Sequence, residues 1–168
     1  MNYLIRKDNI NVINIAINVI ENQGDKANIV EEVLLDLPDW FGLPDSTQEY
    51  IEQSKQLVLF SAQHNETLLG FITLKETSCD TCEIHCMGVK KEYHHKGIGK
   101  LLFNQFEEYA KYKYDYIQVK TVDEGKYPEY DQTISFYKSV GFMKLEVFPT
   151  LWDEWNPCLI MIKKISSN

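Results

Sequence analysis

Apolar residues recur along this chain at two periods, and the switches between them outline a sequence of helices and strands. Residues 10–22, INVINIAINVIEN, place Ile10, Ile13, Ile17 and Ile20 at spacings of three and four, which predicts an amphipathic helix stopped by Gly24. Its asparagines and β-branched residues make it a weak helix by propensity. A second helix is predicted over 28–37 from Ile29, Val33, Leu34 and Leu37, ending at Pro38. A short one follows over 46–54, capped by Ser46 with Glu49 three residues on. Residues 3–6 read as a strand, 56–63 and 68–75 as a hairpin around HNET, and 82–89 as a further strand. Residues 98–112 carry Ile98, Leu101, Leu102, Phe106 and Tyr109 on one helical face. A strand at 116–122, a short helix at 130–140 ending at Gly141, and strands at 142–148 and 158–165 complete the chain. This is a mixed α/β order, with a hairpin meander leading into one parallel crossover through helix 98–112. With no internal repeat or linker, residues 1–168 read as a single domain.

Composition adds mainly exclusions. The apolar fraction is 44% and the charged fraction 25%, as in ordinary globular chains. No apolar run approaches the roughly 18 residues that span a membrane, and MNYLIRKDNI lacks the layout of a secretory signal. The expectation is a soluble, cytoplasmic protein without a membrane partner. A net charge of −8 argues against nucleic acid, which calls for a basic stripe. An acidic surface would attract cationic small molecules or basic peptides, and it is equally a solubility device. The Cys79–Cys82 pair invites zinc or redox chemistry, but no second pair accompanies it. His85 and Cys86 alternate as on a strand and would point to opposite faces. No metal is expected.

The segment HHKGIGKLL, His94 to Leu102, raises the possibility of a phosphate-binding turn. A Walker loop needs Ser or Thr after its lysine, where Leu101 stands. A dinucleotide fingerprint needs a third glycine, where Leu102 stands, and an acidic residue closing the next strand, which offers Gln118 and Lys120 with Asp123 just beyond. Two readings survive. Gly97 and Gly99 could let backbone amides and a helix N-terminus wrap a pyrophosphate, or they could merely tighten a turn.

The wider segment, IHCMGVKKEYHHKGIGKLLFNQFEEYA, resembles the core motif of the GCN5-related N-acetyltransferases (GNAT), which use acetyl-CoA. That motif is an apolar strand, a charged turn with an aromatic, then Arg/Gln-x-x-Gly-x-Gly/Ala opening a helix. Val89 ends the strand, Tyr93 is the aromatic, and His94 departs from the usual Arg or Gln in a seat expected to lend mainly a backbone amide. TISFYKSVGF, Thr133 to Phe142, resembles the family's later motif, with Tyr130 where Asn is frequent. FPTLWDEWNPCLIMIKK and LPDWFG look like a bacterial branch of the family. The resemblance implies a GNAT fold: a mixed central sheet of six to seven strands with about four helices.

It also implies roles. Met87, Gly88 and Val89 would pair with the pantetheine arm and stabilise the developing oxyanion. His94, His95, Lys96, Gly97, Ile98, Gly99 and Lys100 would hold the pyrophosphate. Tyr137 would protonate the departing CoA thiolate. An amine with a pKa of about 10.4 needs a base, for which Glu83 and His85, two apart on one strand, are candidates. Trp40, Phe41 and Trp152, with Tyr127, are candidates for the acceptor side. The implied reaction moves acetyl from acetyl-CoA, as cosubstrate, directly to a small-molecule or peptide amine, in a monomer or homodimer. The alternative is a non-catalytic acyl-CoA-binding sensor on the same fold.

Overall fold

The computed structural model describes residues 1–7 and 11–165. Among them the chain forms eight strands and four α-helices: β1 (Asn2–Lys7), β2 (Asn11–Ile20), α1 (Gln23–Leu35), α2 (Pro44–Ser54), β3 (Val58–His64), β4 (Thr67–Glu76), β5 (Thr81–Val89), α3 (Ile98–Ala110), β6 (Tyr116–Val122), α4 (Pro128–Ser139), β7 (Met143–Phe148) and β8 (Cys158–Lys164). The strand order is β1-β2-β3-β4-β5-β6-β8-β7. β5 and β6 are parallel, joined through α3, whereas β1–β2, β2–β3, β3–β4, β6–β8 and β7–β8 are antiparallel. The mixed α/β class and the four helices agree with expectation.

One element differs in kind. The segment expected as a helix over 10–22 is strand β2, which raises the sheet from seven strands to eight. Ile15 and Ile17, two apart, are both buried, so the period of two outweighs the isoleucine spacing of three and four. Ile10 lies outside the described residues. Helix starts also move. α1 begins at Gln23 because the Asn22 side chain accepts from the Asp25 N–H at 3.0 Å, which puts Gly24 inside the first turn. α2 begins at Pro44, pre-set for a first helical position, so Ser46 lies within the helix and is not its cap.

By packing, the chain divides into two units. The first comprises residues up to Leu74 with Cys86–Phe106. Its core joins Val30, Val33, Leu34 and Leu37, from α1 and just beyond it, to Ile51 of α2, Leu59 of β3, Leu68 and Phe71 of β4, and Cys86 of β5. The Thr73 hydroxyl both accepts from the Cys86 N–H and donates to the Cys86 carbonyl, each at 3.0 Å. A Cβ at Gly70 would lie 2.5 Å from the Gly88 carbonyl oxygen and 2.9 Å from the Val89 Cα, so the end of β5 sits where it does because position 70 has no side chain. A Cβ at Gly88 would instead meet Val33 Cγ1 at 2.8 Å and Leu37 Cδ1 at 3.1 Å. Its smallness therefore serves the packing of β5 on the α1 region.

The second unit comprises Lys75–His85 and the chain from Glu107 onward. There β5 pairs with β6 from Thr81↔Tyr116 to Ile84↔Val119, and β6 continues to β8 from Tyr116↔Lys164 to Val122↔Cys158. Ile117, Val119, Ile134, Leu159 and Met161 are buried. Cys82 and Cys86 are buried, which pushes the Cys82 thiol up to about 12 and raises that of Cys86 as well, whereas Cys79 is exposed. Among the described residues no helix is long and apolar enough to cross a membrane.

The two glycines give a graded expectation. Gly70→Ala should cost about 2–3 kcal/mol, because backbone must move, and Gly88→Ala less, about 1–2 kcal/mol, because the atoms in its way belong to the buried side chains of Val33 and Leu37. Urea unfolding midpoints of the two variants measure this. Equal losses, or a larger loss at Gly88, would contradict the account.

Candidate functional site

Beyond Val89 the chain makes one 3-10 turn, Lys91–Tyr93, and then enters α3. Three acidic groups at the end of α1 and just after it fix this turn. Lys90 Nζ bonds Glu32 at 2.6 Å, the Lys91 N–H donates to Asp36 Oδ2 at 2.7 Å, and Lys91 Nζ bonds Asp39 at 2.8 Å. His94 closes the turn on itself. Its N–H donates to the Lys91 carbonyl at 3.2 Å and its ring Nε2–H to the Val89 carbonyl at 2.6 Å, with Trp40 packed edge-on at 5.6 Å. In the Arg/Gln seat of the motif, the His94 amide is therefore engaged inside the turn.

The next residues behave differently. His95 has φ 57° and Gly97 φ 80°, two left-handed residues one position apart from contiguous. For histidine this conformation is uncommon, and left-handed turns of this kind form main-chain concavities for anions. The first helical bond of α3 runs from the Leu101 N–H to the Gly97 carbonyl at 3.1 Å. The amides of Ile98, Gly99 and Lys100 precede it and have no helical acceptor, at the positive end of a 13-residue helix. Ile98, Leu102, Phe103 and Phe106 are buried and anchor the helix. Lys96 curls back, donating to the Glu92 carbonyl with its ammonium 5.1 Å from the Tyr93 ring centroid, whereas His95, Gly97 and Lys100 are exposed.

Five other expected residues, Glu83, His85, Tyr127, Tyr137 and Trp152, lie in the second unit. Tyr137 of α4 is 6% exposed, its ring held between Phe136 at 5.4 Å and Phe142 at 5.5 Å. Its carbonyl accepts from the Phe142 N–H at 3.0 Å, and Gly141 (φ 99°) makes the left-handed exit from the helix. Glu83, 6% exposed on β5, accepts from Gln118 Nε2 at 2.8 Å and Lys120 Nζ at 2.5 Å through Oε2, with His85 Nδ1 3.8 Å from Oε1. Trp152 is exposed in the β7–β8 loop, where Asp153 accepts from the Trp155 and Asn156 amides. Of the aromatics in the first unit, Trp40 packs on His94 and Phe41 on Tyr50 at 5.9 Å. Tyr130, in the seat where Asn is frequent, lies 6.0 Å from Tyr127, and Asp131 Oδ1 accepts from the Gly125 N–H at 2.8 Å.

Residues 28–142, which contain both the glycine turn and Tyr137, match the sequence model of the acetyltransferase (GNAT) family. The chain belongs to the GNAT acetyltransferase family. Solved structures with the same fold include a GNAT-family protein from Desulfovibrio desulfuricans (TM-score 0.80, 15% identity, 90% of this chain and 99% of that one). The aminoglycoside 6'-N-acetyltransferase from Enterococcus faecium is similar as well (TM-score 0.69, 20% identity, 91% and 98%). So is a GNAT acetyltransferase from Elizabethkingia anophelis with acetyl-CoA bound (TM-score 0.65, 18% identity, 94% and 99%). No curated protein sequence matches significantly.

In this GNAT chain, Lys120 and Gln118 are the site neighbours that residue patterns did not single out for the Glu83–His85 pair. The signal that finds them is the parallel register, which sets Glu83 opposite Gln118. Burial alone would raise the Glu83 carboxyl, but the His85 imidazole, the Lys120 ammonium and the Gln118 amide outweigh it and bring it down to about 2. A carboxyl depressed on folding stabilises the fold above its unfolded value and loses that contribution as pH falls through its folded value. The free-energy gap between wild type and Glu83→Gln should therefore be on the order of 3 kcal/mol at neutral pH. It should close between roughly pH 4.5 and 2, as read by denaturant unfolding across that range. A gap independent of pH would show that the carboxylate's charge is not what its partners stabilise.

Proposed function

We propose that this GNAT protein is an N-acetyltransferase that moves acetyl from acetyl-CoA directly to an amine, with no covalent enzyme intermediate. The observation that carries this reading is the cradle at the start of α3, with left-handed His95 and Gly97 followed by amides that precede the first helical bond. Pyrophosphate fits such a site through charge-assisted hydrogen bonds. His95 to Lys100 would supply the amides, with Lys100 as the exposed cation at the far end. Lys90, Lys91 and Lys96 are engaged within the chain, so main-chain donors carry most of the recognition. The β5 backbone at Met87, Gly88 and Val89 would hold the pantetheine arm, and a main-chain N–H there would stabilise the oxyanion. When bound, acetyl-CoA supplies an activated thioester.

Tyr137 is proposed as the acid that protonates the leaving thiolate. Its support is the motif match and a ring fixed by Phe136 and Phe142, which limits the conformations available to the hydroxyl. The proton of the acceptor ammonium goes to a base on β5, either Glu83 or His85. Trp40, Phe41 and Trp152 are proposed for the acceptor side, where aromatic faces suit a cationic amine. The net charge of −8 acts in the same direction.

Thiol release from acetyl-CoA against a panel of polyamines, aminoglycosides, amino acids and peptide N-termini tests this reading. Transfer to at least one amine is expected, with Tyr137→Phe lowering kcat on the order of 100-fold while leaving acetyl-CoA affinity intact. Tight CoA binding without transfer to any amine would favour the sensor reading. Transfer unaffected by Tyr137→Phe would remove the acid role.

A further inference from the structure

Resting on the acetyltransferase reading, the end of β5 also determines how far along the strand the donor lies. We propose that His94 is a positioning residue that sets this register: its ring covers the Val89 carbonyl and leaves the pantetheine arm one place to pair.

The direction of the backbone groups comes first. The Cys86 N–H donates to the Thr73 hydroxyl of β4 and the Cys86 carbonyl accepts from it, each at 3.0 Å. The Lys90 N–H donates to the Leu69 carbonyl of β4 at 2.8 Å. Backbone groups alternate in direction along a strand, so Met87 and Val89 turn theirs away from β4. The pairing of β5 with β6 runs from Thr81 to Ile84, short of both residues. Met87 to Val89 is therefore an edge to which an extended chain can add as a further strand.

An edge of plain backbone specifies register weakly, because its donors and acceptors repeat every two residues, about 6–7 Å. To an arm amide the Met87 and Val89 carbonyls are equivalent acceptors. His94 makes them different. Its ring Nε2 lies 2.6 Å from the Val89 carbonyl oxygen, which can only accept, so that nitrogen carries the hydrogen. The ring is held in place by its own backbone, whose N–H donates to the Lys91 carbonyl at 3.2 Å, and by Trp40 packed edge-on at 5.6 Å. Trp40 is itself tied to the end of α1, its N–H donating to the Leu37 carbonyl at 3.1 Å. With the Val89 carbonyl committed, an arm N–H pairs with the Met87 carbonyl, and the Val89 N–H serves an arm carbonyl. An arm shifted by one repeat would have to displace the ring or share its acceptor.

Register matters because the thioester carbon has to lie beside the attacking nitrogen, and a misplacement of about 1 Å already costs on the order of 100-fold. This role differs from that of the His95–Lys100 amides. They would grip the phosphates, whereas His94 acts on the arm through Val89.

Two donors and three variants of the full chain test the proposal. S-acetylpantetheine lacks the pyrophosphate, so its position rests on the strand alone. His94→Phe keeps a ring against Trp40 without the donor, His94→Gln keeps a donor, and His94→Ala replaces Phe should that variant not fold. With an amine found to be acetylated, His94→Phe should lower kcat about 10-fold with acetyl-CoA while changing its Kd less than about threefold. With S-acetylpantetheine the loss in kcat should be larger, on the order of 100-fold, and His94→Gln should recover most of both. In the complex with CoA, NMR of wild type should show the Met87 carbonyl carbon shifting and that of Val89 staying in place; in His94→Phe both should shift.

A loss confined to acetyl-CoA affinity, absent with S-acetylpantetheine, would make His94 a support of the phosphate turn and overturn the register role. Wild-type turnover of both donors by His94→Phe, or a wild-type Val89 carbonyl that shifts with CoA, would overturn it as well. Binding of CoA without transfer to any amine would remove the enzyme reading, and the carbonyl shifts alone would then decide the register role. Absence of CoA binding would overturn the acetyl-CoA reading and the register proposal together.

Discussion

A buried or ligand-facing backbone N–H requires an acceptor, and this chain presents a run of such groups at one place. Between the His94 amide, used by Lys91, and the Leu101 amide, used by Gly97, the backbone is shaped by two left-handed residues and opens a helix. Much of the first unit serves to hold that stretch still. Acidic residues at and beyond the end of α1 grip Lys90 and Lys91, the His94 ring ties the turn to Val89, and Gly70 permits the close approach of β4 to the end of β5. Each restraint uses a side chain or a carbonyl, and none uses the amides of the proposed pyrophosphate site beyond His94.

The charge distribution fits that division of labour. In a protein of net charge −8, lysines around an anion site would be expected to bear its recognition. Here Lys90 and Lys91 are paired with Glu32 and Asp39, and Lys96 is turned onto Glu92 and Tyr93. Amides and the helix dipole are oriented by the fold itself and lose no side-chain entropy on binding. In the second unit the same economy of charge appears around Glu83, whose enclosure is tolerable because Lys120 and Gln118 satisfy it.

Local features were legible from residues alone, and features that depend on distant partners were not. The glycine turn, the helix after it and the Phe-Tyr helix ending in Gly-Phe are continuous segments, and each is found where the pattern places it. β2 was misread because its isoleucines satisfy both periods, and pairing with β1 and β3, which settles the matter, involves residues far along the chain. His94 shows another limit: its motif seat was readable, but the bond from its ring to Val89 depends on how the turn folds back. Lys120 lies 37 positions from Glu83, and only the parallel register of β5 with β6 brings the two together.

The central claim is that acetyl-CoA binds through the main chain at the start of α3. Amide NMR shifts during a titration of the full chain with acetyl-CoA read this directly. The account predicts saturable binding, with the largest perturbations at the amides of His95 through Lys100 and a second set at Met87 to Val89. Saturation that leaves the His95–Lys100 amides unmoved, or no binding at all, would contradict it.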